Sequence, residues 1–289
     1  MRGKLKKLFA AVLAVLLALS FSGCSELTGL DAQALMSPPK TTADREAIYA
    51  LMGGGVGDVT LVYPKCGDYR SAIISRDLDG CGTSEVVSFC ANGDAGGTRL
   101  EFFKKNTDGV WNSMARFTSA ATQVDKVFFG DLTGDGMDEI IVGWGDPLTA
   151  TASVSVYYVD GDTIREFSMT TVSYSEMLLT DFDSDNIKEL FVLQAAQTSG
   201  EEIMALGGLY RFDGDQPYVS KTVPLDAAVT RYTSVSFSQV NSWRRAAVLD
   251  GVKADGRMLT QVIGYDEASD RLISPLSNEE NATDRPTAA

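Results

Sequence analysis

The sequence predicts an all-β protein, a β-propeller-like array of four-stranded antiparallel blades that follows one short N-terminal helix. Three observations support this fold class. Aspartate-rich turns recur about every fifty residues, which is the length of a propeller blade. Each of these turns lies between two apolar runs rich in β-branched and aromatic residues. An Asp-Gly turn then follows later in each repeat, and Asp-Gly between strand-like runs is a strong hairpin signal.

Three repeats align over an apolar run, an acidic turn and a second apolar run. The aligned segments are 71–89, 126–144 and 176–194. In each repeat a third and a fourth strand-like stretch follow, joined by the Asp-Gly turn. Each repeat is therefore predicted to form four antiparallel strands.

A fourth repeat is recognisable near the C-terminal end. Its strand-like stretches are 234–240, 243–249, 258–265 and 271–274. The turn at Gln239–Ser242 contains no acidic residue, so we expect this blade to fold without binding a metal. The predicted repeat domain covers 58–275, and its units are 58–117, 118–169, 170–224 and 225–275.

The first 23 residues are typical of a lipoprotein signal peptide. Basic residues precede the apolar run Leu8–Phe21, which is shorter than the ~20 residues of a membrane-spanning helix and fits a secretory segment. Phe21-Ser22-Gly23-Cys24 resembles a bacterial lipobox, although Leu is usual where Phe21 stands. The resemblance implies that Cys24 is lipidated and that the protein is exported and anchored on the extracytoplasmic face of a bacterial membrane. Cleavage as an ordinary signal peptide and an uncleaved N-terminal anchor are the alternatives.

A short helix is predicted between the anchor and the repeats. It lies within 41–57, ends at Gly53–Gly55, and places Ile48, Leu51 and Met52 on one side. We expect that side to pack on the edge of the repeat domain. The flanking segments are a tether at 24–40, stiffened by Pro38-Pro39, and a polar tail at 276–289.

Charge and residue content exclude several functions. The chain has 39 acidic and 25 basic residues and a net charge of −14, so its surface repels nucleic acid and anionic membranes. Histidine is absent, which excludes Ser-His-Asp and Cys-His catalysis and the usual zinc sites. We expect no nucleic-acid partner, and acid–base chemistry would depend on Asp, Glu, Lys or Tyr.

The mature body contains three cysteines. A disulfide between Cys66 and either Cys81 or Cys90 is permitted in an exported protein, and the odd number leaves at least one thiol unpaired. Three unpaired, small and partly buried residues are the alternative.

The acidic turns are candidate calcium sites. Calcium takes six to eight oxygen ligands at about 2.3–2.6 Å, and side chains at alternate positions of a tight loop can converge on one ion. We number each turn from its first Asp and expect ligands at positions 1, 3, 5 and 9, with a backbone carbonyl from position 7. The predicted ligands are Asp131, Thr133, Asp135, Met137 and Glu139 in the second turn, Asp181, Asp183, Asp185, Ile187 and Glu189 in the third, and Asp77, Asp79 and Glu85 in the first.

The three turns are not equivalent. Position 6 requires a residue that tolerates positive φ, and it holds Gly82, Gly136 and Asn186. Position 5 of the first turn is Cys81, a soft ligand that calcium disfavours, so this turn is expected to bind weakly or not at all. The alternative for every copy is an ordinary turn in which Asp caps its own backbone.

The pattern resembles the FG-GAP or VCBS-type repeat. Phe129-Gly130-Asp131 before Gly134-Asp135-Gly136 is the closest local match, and the resemblance extends over roughly 58–275. The segment from Tyr63 to Ala72 is also similar to the lead-in to the first repeat of lipoproteins of this kind. The resemblance implies calcium-loaded blades in a closed seven-blade ring. Four units fall short of seven, so a truncated chain, a small closed ring and an open arc are the alternatives.

Three functions are compatible with these features. The first is a non-catalytic binding or adhesion module for a protein or glycan, with structural calcium. The second is a propeller-type enzyme that acts on polysaccharide. The third is a structural subunit of an envelope complex. The polar residues considered for catalysis are Tyr69, Asp125, Asp138, Asp146, Tyr174 and Glu176. The tryptophans Trp111, Trp144 and Trp243 are expected to pack between blades rather than contact a sugar.

Overall fold

The computed structural model describes residues 43–146, 149–167, 172–199, 202–213, 216–241 and 244–277. Cys24, the tether, most of the polar tail and Trp243 lie outside these ranges. The chain divides into two compact units, Met1–Glu46 and Ala47–Ala289. Of the first unit, only the start of a helix is described. In the described ranges, no helix combines the length and the apolar character needed to cross a membrane.

Helix α1 spans Ala43–Leu51, and its end is set by glycine. Gly53 has φ 96°, a left-handed conformation that closes the helix with hydrogen bonds back to its last turn. The helix is therefore shorter than the 41–57 segment predicted to contain it.

The first sheet contains four antiparallel strands in sequence order. They are β1 (Ile73–Arg76), β2 (Glu85–Ala91), β3 (Thr98–Lys105) and β4 (Trp111–Ser119). A one-turn 3-10 helix at Gly93–Ala95 lies between β2 and β3. One face of this sheet packs on α1, because Ile48 and Met52 are buried in one cluster with Val86, Cys90 and Phe103. The prediction that the apolar side of the helix packs on the repeat domain is confirmed for Ile48 and Met52.

The second sheet repeats the same order and adds one strand. Its strands are β5 (Gln123–Gly130), β6 (Glu139–Asp146), β7 (Thr149–Asp160) and β8 (Thr163–Glu166), with β9 (Val172–Tyr174) also paired to β7. The β9 strand follows β8 in sequence but pairs with β7, so the second sheet is five-stranded.

The third and fourth sheets are again four-stranded and antiparallel in sequence order. The third contains β10 (Glu176–Thr180), β11 (Glu189–Ser199), β12 (Glu202–Asp213) and β13 (Gln216–Pro224). The fourth contains β14 (Val229–Asn241), β15 (Arg244–Lys253), β16 (Met258–Asp266) and β17 (Arg271–Ser277). The prediction that the repeat whose turn has no acidic residue still folds as a four-stranded sheet is confirmed.

Apolar side chains fill the space between each sheet and the next. Phe89 and Phe102 of the first sheet pack with Trp144 of the second, so Trp144 lies between sheets as predicted. Separate buried clusters join the second sheet to the third and the third to the fourth. Each fully buried aromatic or aliphatic side chain contributes about 1.5–3 kcal/mol of transfer free energy. The described residues thus confirm the predicted all-β array of four-stranded blades with a short helix before it.

Candidate metal-binding loops

The predicted acidic turns connect the first and second strands of the first three sheets. We call residues 77–85, 131–139 and 181–189 the first, second and third acidic loops. The residue at position 2 is apolar and buried in every loop, and it enters the core between its own sheet and the next. These residues are Leu78, Leu132 and Phe182. They fix each loop at one edge of its sheet.

The backbone of the three loops bends through two residues with positive φ. At position 6, Gly82, Gly136 and Asn186 have φ of 86°, 84° and 72°, which confirms the prediction for that position. Position 4 also has positive φ, at Gly80, Gly134 and Ser184, and this was not predicted. The Gly-x-Gly spacing of the first two copies was the signal that could have revealed it.

The aspartate at position 1 is held by backbone amides. In the second loop, Gly134 and Gly136 donate their N–H groups to Asp131 Oδ1 and Oδ2 at 2.6 and 2.9 Å. In the third loop, Ser184 and Asn186 donate to Asp181 in the same way, and in the first loop Gly82 donates to Asp77. The loops therefore share one backbone conformation, which orients the first carboxylate.

The glutamate at position 9 is buried and folded back into its loop. Glu139 is 2% exposed, and its Oε2 accepts a hydrogen bond from the N–H of Leu132 at 2.7 Å. Glu85 and Glu189 accept the equivalent bonds from Leu78 at 2.9 Å and from Phe182 at 2.8 Å. Position 9 thus brings a desolvated carboxylate to the inside of every loop.

Burial changes the acidity of these glutamates. Loss of water, with the neighbouring Asp135 and Asp131 carboxylates adding to it, raises the pKa of Glu139 to about 8. Burial and the neighbouring Asp183 raise the pKa of Glu189 to about 7, although Arg211 opposes the shift. A cation beside either carboxylate would reverse the shift, because opposite charge favours the ionised form.

Each loop holds a buried oxygen that has no hydrogen-bond partner. These atoms are Asp77 Oδ1 and Glu85 Oε1 in the first loop, Thr133 Oγ1 in the second and Asp183 Oδ1 in the third. All four belong to residues predicted as ligands. An oxygen withdrawn from water without a donor is unfavourable, and a coordinated cation would supply the missing interaction. The residues present therefore fit a metal ion.

Two of the loops bring three ligand atoms together. Asp77, Asp79 and Cys81 offer atoms within 4.8 Å of one another, and so do Asp181, Asp183 and Glu189. Both clusters could hold a metal. In the second loop, position 3 is Thr133, and the three described carboxylates Asp131, Asp135 and Glu139 do not come within 4.8 Å of one another.

The aspartates at position 5 each accept a hydrogen bond from the backbone of their own loop. In the second and third loops, Asp135 Oδ1 and Asp185 Oδ1 each accept the N–H of position 7, from Met137 and Ile187, both at 2.8 Å. The structure thus places Asp185 on its own backbone and outside the convergent cluster of the third loop.

A basic side chain enters the first and third loops from the third strand of the sheet. Lys104 Nζ lies 2.5 Å from Asp79 Oδ2 and 3.5 Å from Glu85 Oε1. Arg211 donates to Glu189 Oε1 at 2.8 Å and also pairs with Asp183. Sequence reasoning missed both residues, because their contact with the loop depends on strand register.

These ion pairs alter the acidity of the first loop. Burial alone would raise the pKa of Asp79, but hydrogen bonds from Cys81 and Lys104 lower it to about 2. Asp79 therefore remains ionised across the physiological pH range.

Neighbouring loops are hydrogen-bonded to each other. The N–H of Asp138 donates to the carbonyl of Leu78 at 2.9 Å, and the N–H of Lys188 donates to the carbonyl of Asp131 at 2.9 Å. Arg76 Nε adds a hydrogen bond to Asp138 Oδ2 at 2.6 Å. The three loops therefore form a continuous row along one edge of successive sheets.

Three of the six residues considered for catalysis, Asp125, Tyr174 and Glu176, lie close together. They are near the starts of β5 and β10, the first strands of the second and third sheets, whereas the acidic loops follow the ends of these strands. Asp125 lies near the start of β5, whereas the second acidic loop follows the end of β5. Tyr174 donates its hydroxyl to Asp125 Oδ2 at 2.7 Å, and Cys66 Sγ donates to Asp125 Oδ1 at 3.2 Å. Lys126 pairs with Glu176. We call Cys66, Asp125, Lys126, Tyr174 and Glu176 the Asp125 cluster.

The polar groups of the Asp125 cluster form ion pairs and hydrogen bonds with one another. Lys126 is 7% exposed; burial opposes its charge, but the hydrogen bond to Glu176 raises the pKa of the ammonium. Burial raises the pKa of the Cys66 thiol to about 11 and also raises the pKa of Tyr174. Both groups therefore stay protonated at neutral pH and act as hydrogen-bond donors.

The remaining catalytic candidates lie elsewhere. Arg76 bridges Tyr69 and Asp138, with its Nη1 2.9 Å from the Tyr69 hydroxyl. The side chain of Asp146 lies outside the described residues. Cys66, Cys81 and Cys90 are all free thiols, so none of the disulfides considered is present between them.

Comparison with known proteins assigns no family. No family profile and no curated protein matches the chain. Among solved structures, a rhamnogalacturonan lyase from Bacillus licheniformis is similar to it with 13% sequence identity and a TM-score of 0.40. The match covers 76% of this chain and 54% of the lyase, so the chain spans about half the length of that protein. This similarity carries no argument about activity.

Proposed function

We propose that the protein is a calcium-stabilised, non-catalytic binding or adhesion module, held at the bacterial cell surface by a lipid on Cys24. The observation that carries the proposal is the row of three acidic loops. They share one backbone conformation and are hydrogen-bonded to each other, and each contains a buried oxygen without a partner at a predicted ligand position. Such a row is suited to present a rigid edge once its charge is neutralised.

The second and third loops offer the oxygen ligands that calcium prefers. Their side-chain ligands are carboxylates and a hydroxyl, which a hard cation prefers. Asp131, Thr133, Asp135 and Glu139 would hold the ion in the second loop, with the Met137 carbonyl. In the third loop the same positions are Asp181, Asp183, Asp185, Glu189 and the Ile187 carbonyl, but Arg211 already pairs with Asp183 and Glu189, so an ion there would compete with it. When bound, calcium supplies the positive charge that these crowded carboxylates require.

The first loop differs because Cys81 replaces an oxygen ligand. Asp77, Asp79 and Cys81 still converge, but calcium gains little from sulfur. We therefore assign weak calcium binding to this loop.

Calorimetry tests the calcium assignment. The full chain should bind calcium with a heat signal that is lost in the double variant Asp131→Ala plus Asp181→Ala. Asp160→Ala is a suitable control, because Asp160 forms an exposed ion pair with Arg165 and lies outside the loops. A melting temperature that responds neither to EDTA nor to calcium would show that the loops are ordinary turns.

The binding role requires a separate experiment. The full chain should retain specific glycans or purified envelope proteins on an array in calcium, and lose them in EDTA or in the double variant. Equal retention in calcium and in EDTA would show that binding to the array does not depend on the loops.

Lipidation is tested on the anchor cysteine. Radiolabelled lipid should be incorporated into the exported wild-type protein and should be absent from Cys24→Ala. Continued labelling of the variant would contradict the lipobox assignment.

A polysaccharide-acting enzyme is the second candidate function. The observation in its favour is that Asp125, Tyr174 and Glu176 meet around the buried Lys126. The internal pairing favours a structural role, since both oxygens of Asp125 already accept hydrogen bonds and Lys126 pairs with Glu176. Polysaccharide cleavage that disappears in both Lys126→Met and Tyr174→Phe would reverse this assignment.

A further inference from the structure

The residue opposite the glutamate at position 9 differs among the three loops. In the pairing of β2 with β3, Val86 faces Phe103, so the next pair places Lys104 opposite Glu85. The same extension places Arg211 opposite Glu189, because Leu190 faces Tyr210. In the second sheet, Ile140 faces Tyr157, and Tyr158 therefore lies opposite Glu139.

We propose that this facing residue selects the cation that each loop holds: the Lys104 ammonium in the first loop, the Arg211 guanidinium in the third, and a calcium ion in the second, where Tyr158 brings no charge. The proposal rests on the calcium-binding function proposed above, and it identifies which loop depends on calcium. Lys104, Tyr158 and Arg211 act as specificity-determining residues without being metal ligands.

The third loop already contains a cation at the ligand positions. Arg211 contacts Asp183 and Glu189, the carboxylates of positions 3 and 9. These two residues and Asp181 are also the ones whose oxygens converge within 4.8 Å. A guanidinium between carboxylates draws them together as a metal would, so their convergence in the absence of an ion has a direct cause. A calcium ion must displace Arg211 or bind beside it against repulsion.

The first loop shows the same arrangement with lysine. Lys104 contacts Asp79 at position 3 and Glu85 at position 9, as Arg211 does in the third loop. Glu85 is fully buried, and its Oε1 has no hydrogen bond although Lys104 Nζ is 3.5 Å away. The ammonium therefore neutralises this loop incompletely.

The second loop has no such cation. Position 3 is Thr133, whose buried Oγ1 has no partner, and the facing Tyr158 packs its ring against Phe167 at 4.4 Å between centroids. Among the described residues, no lysine or arginine is within ion-pair distance of Asp131, Asp135 or Glu139. The hydrogen bonds described for the carboxylates of this loop come from backbone amides, and Asp131, Asp135 and Glu139 do not bring three oxygens within 4.8 Å of one another. An external ion would therefore have no positive side chain to displace.

Exchange of the facing residues tests the proposal. We would measure calcium stoichiometry and affinity of the full chain by equilibrium dialysis and calorimetry. Wild type should show one tight site, which persists in Asp181→Ala and is lost in Asp131→Ala. Tyr158→Arg should also abolish it, whereas Tyr158→Phe, which keeps the ring against Phe167, should retain it.

The converse exchange should create a site. Arg211→Met should tighten calcium binding in the third loop by about tenfold or more, since one positive charge leaves the ligand shell. The matched variant Arg211→Lys should show no such gain. Arg211→Met should also melt at a lower temperature than wild type in EDTA, and calcium should restore the loss.

The outcomes separate this inference from the proposed function. Calcium binding that is unaffected by both Tyr158→Arg and Arg211→Met, in variants that keep the wild-type circular dichroism spectrum, would overturn the inference and leave the calcium function intact. A tight site that disappears in Asp181→Ala would overturn it as well. Absence of calcium binding in wild type and in Arg211→Met would overturn both.

Discussion

The second and third acidic loops follow the ends of β5 and β10, and the Asp125 cluster lies near the starts of the same two strands. Both regions are rich in carboxylates. In the Asp125 cluster, both oxygens of Asp125 accept hydrogen bonds from side chains, and Glu176 pairs with Lys126. In the second acidic loop, the hydrogen bonds described for the carboxylates come from backbone amides, and the buried Thr133 hydroxyl oxygen has no partner among the described residues. The two ends therefore differ in unmatched polar atoms rather than in the number of polar residues, and the end with unmatched atoms is the one proposed to bind an ion.

The two ends should therefore respond to different perturbations. The Asp125 cluster should be sensitive to changes in its own side chains and indifferent to calcium. The acidic loops should be sensitive to calcium and pH. The four predictions below test this division, beginning with the largest expected effect.

Removal of one charge from the Asp125 cluster should be strongly destabilising. Glu176→Gln leaves the Lys126 ammonium, 7% exposed, without its closest partner, and it should lower the free energy of unfolding by about 3 kcal/mol in urea denaturation. Asp160→Asn breaks the exposed pair with Arg165 and should cost less than about 0.5 kcal/mol. Equal effects of the two variants would show that Lys126 is not effectively buried.

Calcium should stabilise the protein through the loops alone. At a free concentration about 100 times the dissociation constant, one site adds about 2.7 kcal/mol to the free energy of unfolding. The increment should be the same in wild type and in Glu176→Gln, and it should vanish in Asp131→Ala. An increment that depends on Glu176 would contradict the separation of the two ends.

A methyl group beside Tyr174 should disturb the Asp125 cluster. The Cβ of Gly143→Ala would lie 2.2 Å from the Tyr174 hydroxyl oxygen, so the ring must move from Asp125, at a cost of about 2 kcal/mol. Gly145→Ala on the same strand is the control, since its Cβ would meet nothing closer than 3.8 Å. Calcium affinity should be unchanged in both variants.

The loops should make stability depend on pH when calcium is removed. The folded protein holds a proton on Glu139 up to a pKa of about 8, whereas the unfolded chain releases it near the ordinary value of 4.5. The unfolded state then binds fewer protons between these values, so the free energy of unfolding should fall as pH rises, by on the order of 1 kcal/mol per pH unit. Glu189, with a pKa of about 7, contributes in the same direction.

Urea denaturation in EDTA at pH 5.5 and pH 8 measures this slope. Glu139→Gln cannot ionise and should reduce the slope, and excess calcium should reduce it in the wild type. A slope that is unchanged in Glu139→Gln would assign the pH dependence to other groups.

Much of the fold was predictable because its signals are local. Apolar runs around the recurring acidic turns, together with the Asp-Gly turns, predicted the four-stranded sheets, and the fourth sheet forms although its turn has no acidic residue. The β9 strand was not predicted, because Val172–Tyr174 pairs with β7 across intervening residues. Short strands of this kind depend on a partner that the local sequence does not identify.

The candidate loops were predicted in part for the same reason. The requirement for positive φ at Asn186 follows from local steric limits, and the fold confirms it. Asp185 was predicted as a ligand from its spacing, and in the structure its Oδ1 accepts the N–H of Ile187. A short carboxylate can bind its own backbone or a distant ion, and spacing does not decide between them.

The sequence by itself determined the repeat, the four antiparallel strands of each repeat and the tight acidic loops between them. These features depend on neighbours along the chain. Tertiary structure alone decided that Lys104 and Arg211 enter their loops while Tyr158 faces the second, and that Cys66, Asp125 and Tyr174 meet. Those contacts depend on strand register and on packing between sheets, which bring together residues that lie far apart in the chain. The acidic residues of the loops could be identified from the sequence, whereas the basic side chains that pair with them could be identified only from the fold.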